Sequence, residues 1–186
     1  MTAVLYAGDV NVRRTLLLVL AVSLSLAVAQ GTAATAPCSA KGFELELTAQ
    51  KLPTPVASMR KRIFAAALRC DYTTLVRLGD EHGKGLAFSY GGDRSAAAYW
   101  TKLERTKEPV MRALATVLTL PFARTEGFYA WPSAHREKPS DADWKALRAL
   151  YPQSTIDRMR RGGIGYFGWR VGIRPDGNWM YFISGD

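Results

Sequence analysis

The chain has 186 residues, 48% of them hydrophobic and 22% charged, with a formal net charge of +9. That composition excludes an intrinsically disordered chain, and the length suits one domain with a sizeable core after any leader is removed. The basic residues are scattered, and only Arg60-Lys61-Arg62 and the Arg158, Arg160, Arg161 group cluster. A generally basic surface accounts for the charge better than a dedicated nucleic-acid face does.

Taken from its start, the chain opens with a targeting segment. Arg13 and Arg14 precede an apolar run from Leu16 to Ala29, and Ala27-Val28-Ala29 has the small-x-small pattern of a cleavage site. Residues 1–29 are therefore predicted to be a signal peptide, with Gln30 the first mature residue. The run is shorter than the roughly 20 residues that span a bilayer comfortably, so an uncleaved anchor is the weaker alternative. The stretch before Arg13 is long and contains Asp9, which leaves a start near Val10 open. Thr35-Ala36-Pro37 ahead of Cys38 does not form a lipoprotein box. An exported chain with two cysteines predicts one disulfide, Cys38 to Cys70, tying residues 30–41, a loose arm, to the end of a helix.

A single domain is predicted over 42–186. Phe43-Glu44-Leu45-Glu46-Leu47 alternates as a short strand. Thr54-Pro55 reads as an N-cap followed by proline at the first helical position. The helix after it places Val56, Met59, Ile63, Ala66, Ala67 and Cys70 inward and Arg60, Lys61, Arg62 and Arg69 outward. Asp71 caps a second helix that Gly79 should stop. Leu86 to Tyr90 alternates as a strand, and Asp93 or Ser95 caps the next helix. A helix from Pro109 ends at Pro121. Gly127 to Pro132 is a third strand candidate, its closing proline marking an edge or exit. Ser140 with Asp143 forms a capping box, and Ser154 with Asp157 repeats the device.

The last twenty residues organise the rest. Arg174-Pro175-Asp176-Gly177-Asn178 has the chemistry of a three-residue hairpin loop with glycine in the left-handed region. This register pairs Ile173 with Trp179, Val171 with Tyr181 and Trp169 with Ile183, all on one inward face. Each large side chain buried there is worth ~1.5–3 kcal/mol. The other face then carries Arg170, Gly172, Met180, Phe182 and Ser184. The fold class is α+β: a small, mostly antiparallel sheet ending in a C-terminal β-hairpin, packed against several helices.

Chemistry is sparse. His82 with Asp80 and His135 lacks any metal-ligand spacing, and no metal or cofactor is predicted. Ser89 and Ser133 lack a nucleophile elbow, and the acids Glu104, Glu108, Glu126, Asp141 and Asp143 read as surface or capping residues. No catalytic residue is assigned. The binding candidates are Ser89 and Asp93 beside Gly91-Gly92, with Arg170, Met180 and Phe182 on the second face of the hairpin. There Gly168 and Gly172 leave room for a ligand or, as the favoured occupant, a closely packed helix. No nucleic acid and no membrane span after cleavage are expected, and the partners left open are an anionic envelope component or a small ligand.

Phe88-Ser89-Tyr90-Gly91-Gly92-Asp93, Tyr129-Ala130-Trp131-Pro132-Ser133 and the terminal Gly168-Trp169-Arg170-Val171-Gly172-Ile173, with Asp176-Gly177, Trp179 and Gly185-Asp186, resemble a family of small secreted bacterial proteins of unknown function. The resemblance implies export and a shared fold, and brings no activity. A weaker one is to nuclear transport factor 2-like domains. Their two-helix opening with an acidic cap is similar to Cys70-Asp71-Tyr72 and the strand after it, but helices at Pro109 and Ser140 interrupt the expected run of strands. The function expected is a non-catalytic binding or envelope-associated domain, secreted or periplasmic. The alternative is a small hydrolase or isomerase with a pocket between sheet and helices.

Overall fold

A computed structural model describes residues 37–125, 127–163 and 165–185. The predicted signal peptide, its cleavage site and most of the arm lie outside the described residues. Among those described there are six α-helices: α1 (Thr54–Leu68), α2 (Tyr72–Asp80), α3 (Ala96–Arg105), α4 (Val110–Thr119), α5 (Asp141–Ala146) and α6 (Gln153–Arg161). Four strands, β1 (Ala123–Thr125), β2 (Phe128–Trp131), β3 (Arg170–Ile173) and β4 (Trp179–Ile183), form one antiparallel sheet in the order β1-β2-β3-β4. The α+β class and the C-terminal hairpin are as the sequence predicts. No helix among the described residues is long and apolar enough to cross a membrane.

The hairpin turn forms as its residues dictate. Gly177 has φ +90°, its amide donates to the Arg174 carbonyl at 2.9 Å, and the Arg174 amide donates to the Asn178 carbonyl at 2.9 Å. Ile173 pairs with Trp179. The ladder then departs from the predicted register. Gly172 pairs with Tyr181, Val171 with Phe182 and Arg170 with Ile183, so Met180 is the extra residue of a bulge. Beyond it the faces exchange. Phe182 turns into the core beside Val171, and Tyr181 moves to the outer face above Gly172. Trp169 lies before β3 but still reaches the core, stacked on Phe182 with ring centroids 4.7 Å apart.

The main core collects α1, α2, α3 and α4 against one face of the sheet: Tyr129, Trp131, Val171, Ile173, Trp179 and Phe182 meet Ile63, Leu75, Trp100 and Leu114. A smaller cluster joins Trp144, Leu147, Ile156, Met159 and Tyr166 beneath α5 and α6. Cys38 and Cys70 are bonded, with Cα atoms 6.0 Å apart, as predicted. Asp71 caps α2 through the Thr74 amide, Ser95 rather than Asp93 caps α3, and the Ser140–Asp143 capping box is complete.

Several elements differ from expectation. Phe43–Leu47 belongs to no strand, and the Phe43 amide instead closes a turn on the Ala40 carbonyl at 3.0 Å. Leu86–Tyr90 reduces to one parallel bridge, Ala87 to Tyr181. Pro53, not Thr54, holds the cap position of α1, and Pro152 holds that of α6, neither with a side-chain bond. Gly79 lies inside α2, since Leu86 packs where a Cβ would stand. Cys70 lies just past α1 with φ +54°.

The largest correction concerns Arg60, expected on the solvent face of α1. It is 4% exposed. Its Nε and Nη2 donate to the Leu118 carbonyl at 2.9 and 2.6 Å, and Nη1 donates to the Thr48 carbonyl at 2.9 Å. The cation thus closes the C-terminal end of α4, where the helix dipole favours positive charge. Burial lowers its pKa to about 10, which leaves it charged at neutral pH. Arg60→Met keeps the aliphatic stem but strands the buried Leu118 carbonyl, at a cost of ~1–3 kcal/mol. It is expected to lower unfolding free energy by about 1–3 kcal/mol in a urea titration. A loss under half a kilocalorie would show that water replaces the guanidinium freely.

Glu104, read from sequence as a surface or capping acid, is also buried. It accepts from the Met111 amide at 2.7 Å, capping α4 from the preceding helix, and from Ser39 at 2.8 Å (amide) and 2.7 Å (hydroxyl). That bond set pins the arm beside the disulfide.

Candidate functional site

The outer face of the sheet carries a row of small residues, Ala123, Ala130 and Gly172, ending at Tyr181. Period-two alternation puts them opposite the core. Tyr181 lies so close over Gly172 that a Cβ there would collide with its ring. The space beside Gly168 is likewise filled by Tyr151 and Tyr166. Tyrosine side chains, neither a helix nor a ligand, are therefore what the two glycines accommodate.

Arg170 opens β3 at one end of this face. It is 8% exposed. Its Nη2 donates to the Tyr90 hydroxyl at 2.6 Å and the Gly185 carbonyl at 2.7 Å, and Nη1 donates to the Gly168 carbonyl at 3.3 Å. Two phenols fix the backbone just ahead of it: Tyr151 accepts from the Trp169 amide at 2.8 Å, and Tyr166 donates to the Trp169 carbonyl at 2.7 Å. Burial pushes both phenols above their ordinary pKa. Among the described residues, every oxygen that Arg170 meets is formally neutral. A cation this deep with no carboxylate partner among the described residues is unusual, since desolvation penalises an unpaired charge.

His135 approaches from a 3-10 turn, Ser133–His135, that follows the cis Trp131–Pro132 peptide. Its ring meets Tyr181 edge-on, centroids 6.2 Å apart. Burial, and then the Arg170 charge, lower its pKa below the ordinary histidine value, so it is neutral at pH 7. Burial raises the Tyr181 phenol to about 12, against a smaller pull from Arg170. A histidine and a tyrosine with perturbed ionisation beside a buried arginine mark a candidate site on physical grounds.

Tyr90 closes the cluster from outside, 58% exposed. Its loop is folded on itself. The Ser89 hydroxyl donates to Asp93 at 2.8 Å and accepts from the Gly91 amide at 2.9 Å. Ser89 and Asp93 are bonded to each other in the loop whose Tyr90 reaches Arg170, and neither contacts Arg170 by a hydrogen bond among the described residues. Met180 and Phe182 lie elsewhere. Met180 is the bulge residue toward the turn, its sulfur accepting from Asn178. Phe182 is fully buried in the core. Tyr90, Tyr181 and His135 were missed by sequence reasoning. The solvent exposure of Tyr90 and the bulge that redirects Tyr181 have no local signature.

Other chemistry is absent where sequence left it open. Ser133 is buried and gives its hydroxyl to Asp143. Burial works to raise the Asp143 pKa, but bonds from Ser133 and Ser140 and the charge of Arg136 leave it below the usual carboxylate value. The acid therefore anchors the turn rather than orienting a histidine. Neither Ser89 nor Ser133 is hydrogen-bonded to histidine among the described residues. No group of three His, Cys, Asp or Glu able to hold a metal occurs among them. A cleft of about 620 Å³ lies beside the disulfide between Lys41, Arg69 and Tyr72. It begins at Pro37, where the described chain begins, and contains no nucleophile–base pair.

No family model, curated protein or solved structure matches the chain.

Proposed function

We propose that this chain is an exported, non-catalytic binding domain, secreted or periplasmic in a bacterial envelope, that holds a small ligand on the outer face of its sheet. The observation that carries the reading is Arg170, a buried cation satisfied only by neutral oxygens among the described residues. Export is supported by the leader-like start of the sequence and by the Cys38–Cys70 disulfide, which an oxidising compartment sustains. The likeness of its motifs to small secreted bacterial proteins points the same way.

The hydrolase or isomerase reading rests on His135, neutral at pH 7 and close to Tyr181. It lacks a partner that would activate a nucleophile. One measurement separates the two. Amide chemical shifts of the exported chain are recorded against a panel of small metabolites, and turnover of each compound is followed. A binding domain gives shifts centred on Arg170, Tyr181 and Tyr90 with no product. Product formation that disappears in His135→Ala would overturn the reading in favour of the enzyme.

A further inference from the structure

We infer that Arg170 is the receptor for one carboxylate group, and that the Tyr90 hydroxyl occupies that group's place until the ligand displaces it. The inference rests on the binding-domain reading above and adds the ligand's chemistry. Three observations converge on it.

The first is charge. Arg170 is 92% buried by difference from its 8% exposure and, among the described residues, is bonded to Tyr90, Gly168 and Gly185. A planar guanidinium matches a planar carboxylate through two parallel N–H bonds. His135, on the same face, is neutral at pH 7, so among the described residues of the cluster Arg170 supplies the positive charge. A monoanion neutralises it, whereas a phosphate dianion would leave one negative charge in a poorly hydrated place.

The second is the character of Tyr90. Among the described residues it is the exposed large hydrophobic side chain. An aromatic ring turned to solvent while its oxygen reaches a buried cation is an arrangement that burial alone does not favour.

The third is the loop that carries it. Gly91 and Gly92 follow Tyr90, and Gly92 has φ +73°. The Ser89–Asp93 and Gly91–Ser89 bonds are internal to residues 89–93. Those bonds survive if the ring swings away, so displacement breaks one hydrogen bond to Arg170. Phe88, by contrast, is packed against Tyr99 and Trp100 and fixes the loop's base.

The test is calorimetric titration of the exported chain with acetate, glucuronate and inorganic phosphate, at constant ionic strength to hold screening fixed. Acetate and glucuronate should compete for one site. Phosphate should bind more weakly than acetate. Tyr90→Phe removes the competing oxygen and keeps the ring, and should tighten carboxylate binding about ten-fold, the worth of a hydrogen bond to a charged group. Glucuronate tighter than acetate would identify a sugar acid as the source, and equal affinities a simple organic acid. Tyr90→Phe that weakens or does not change binding overturns the inference, as does phosphate binding as tight as acetate. Asp186 lies outside the described residues and follows Gly185, so Asp186→Asn is titrated in parallel. If that change, rather than Tyr90→Phe, sets the carboxylate affinity, the role given to Tyr90 is wrong. If the metabolite panel maps to this face but no carboxylate binds, only the ligand class fails. If nothing maps there, the binding-domain reading fails with it.

Discussion

Phe182→Ala is expected to lower unfolding free energy by about 3–5 kcal/mol, the range for truncating a buried phenylalanine. Phe182 is inaccessible to solvent, stacks on Trp169 with an interplanar angle of 26°, and lies 5.9 Å from the Trp100 ring. Removing it opens a void between two tryptophans that belong to different elements. A backbone held in a four-stranded sheet cannot collapse to fill it. At roughly 2–4 °C per kcal/mol for a chain of this size, the melting temperature should fall by about 6–20 °C. The informative comparison is Tyr181→Ala, which removes a larger side chain from the outer, half-buried face. Phe182→Ala should be the more damaging of the two. The opposite order, read from urea midpoints, would mean that the hairpin runs without its bulge and that Tyr181 is the core residue.

That comparison also marks where the sequence stops being legible. The turn could be read because Pro175, Asp176 and Gly177 each have a separate conformational reason to stand where they do. The pairing of Ile173 with Trp179 follows from it directly. Past that point Trp179-Met180-Tyr181-Phe182-Ile183 is apolar throughout, and period-two alternation has no polar residue to anchor it. One bulged residue then exchanges the faces without leaving a trace in composition. Phe43–Leu47 shows the converse. Its alternation is regular, but a strand needs a partner, and none pairs with it among the described residues. β1 is three residues, Ala-Arg-Thr, too short to carry a pattern.

The charged residues failed for a related reason. Arg60 was placed outward because helical spacing and charge agree on solvent, while its acceptors lie 58 and 12 residues away at Leu118 and Thr48. The candidate site follows the same rule. Arg170 was singled out by the glycines beside it, and Ser89 and Asp93 by Gly91-Gly92. The link between them is the Tyr90–Arg170 bond, across 80 residues. Met180 and Phe182 were assigned to that face by the unbulged register, and they leave it once the bulge is present.

Loss of the Cys38–Cys70 bond should be the second large effect, about 3–4 kcal/mol. The two cysteines are separated by 32 residues. In the chain-entropy treatment, closing a loop of that length in the unfolded chain accounts for the whole figure. Native contacts decide how much of the folded state survives. The Ser39 hydroxyl and amide stay bonded to Glu104, and the Tyr72 hydroxyl still donates to the Pro37 carbonyl at 2.9 Å. With the Arg112 amide donating to the Ser39 hydroxyl at 3.0 Å, the arm is held by four hydrogen bonds besides the sulfurs, and the reduced chain should fold, only less stably. Cys38→Ala and wild type in reductant should then coincide, both melting about 10 °C below the oxidised protein. Adding Glu104→Gln to Cys38→Ala should cost more than Glu104→Gln costs in the oxidised chain, because the arm then loses both the disulfide and the carboxylate that Ser39 bonds. Strict additivity of the two changes would mean that the arm contributes nothing to the capped end of α4 and that the disulfide acts on the unfolded chain alone.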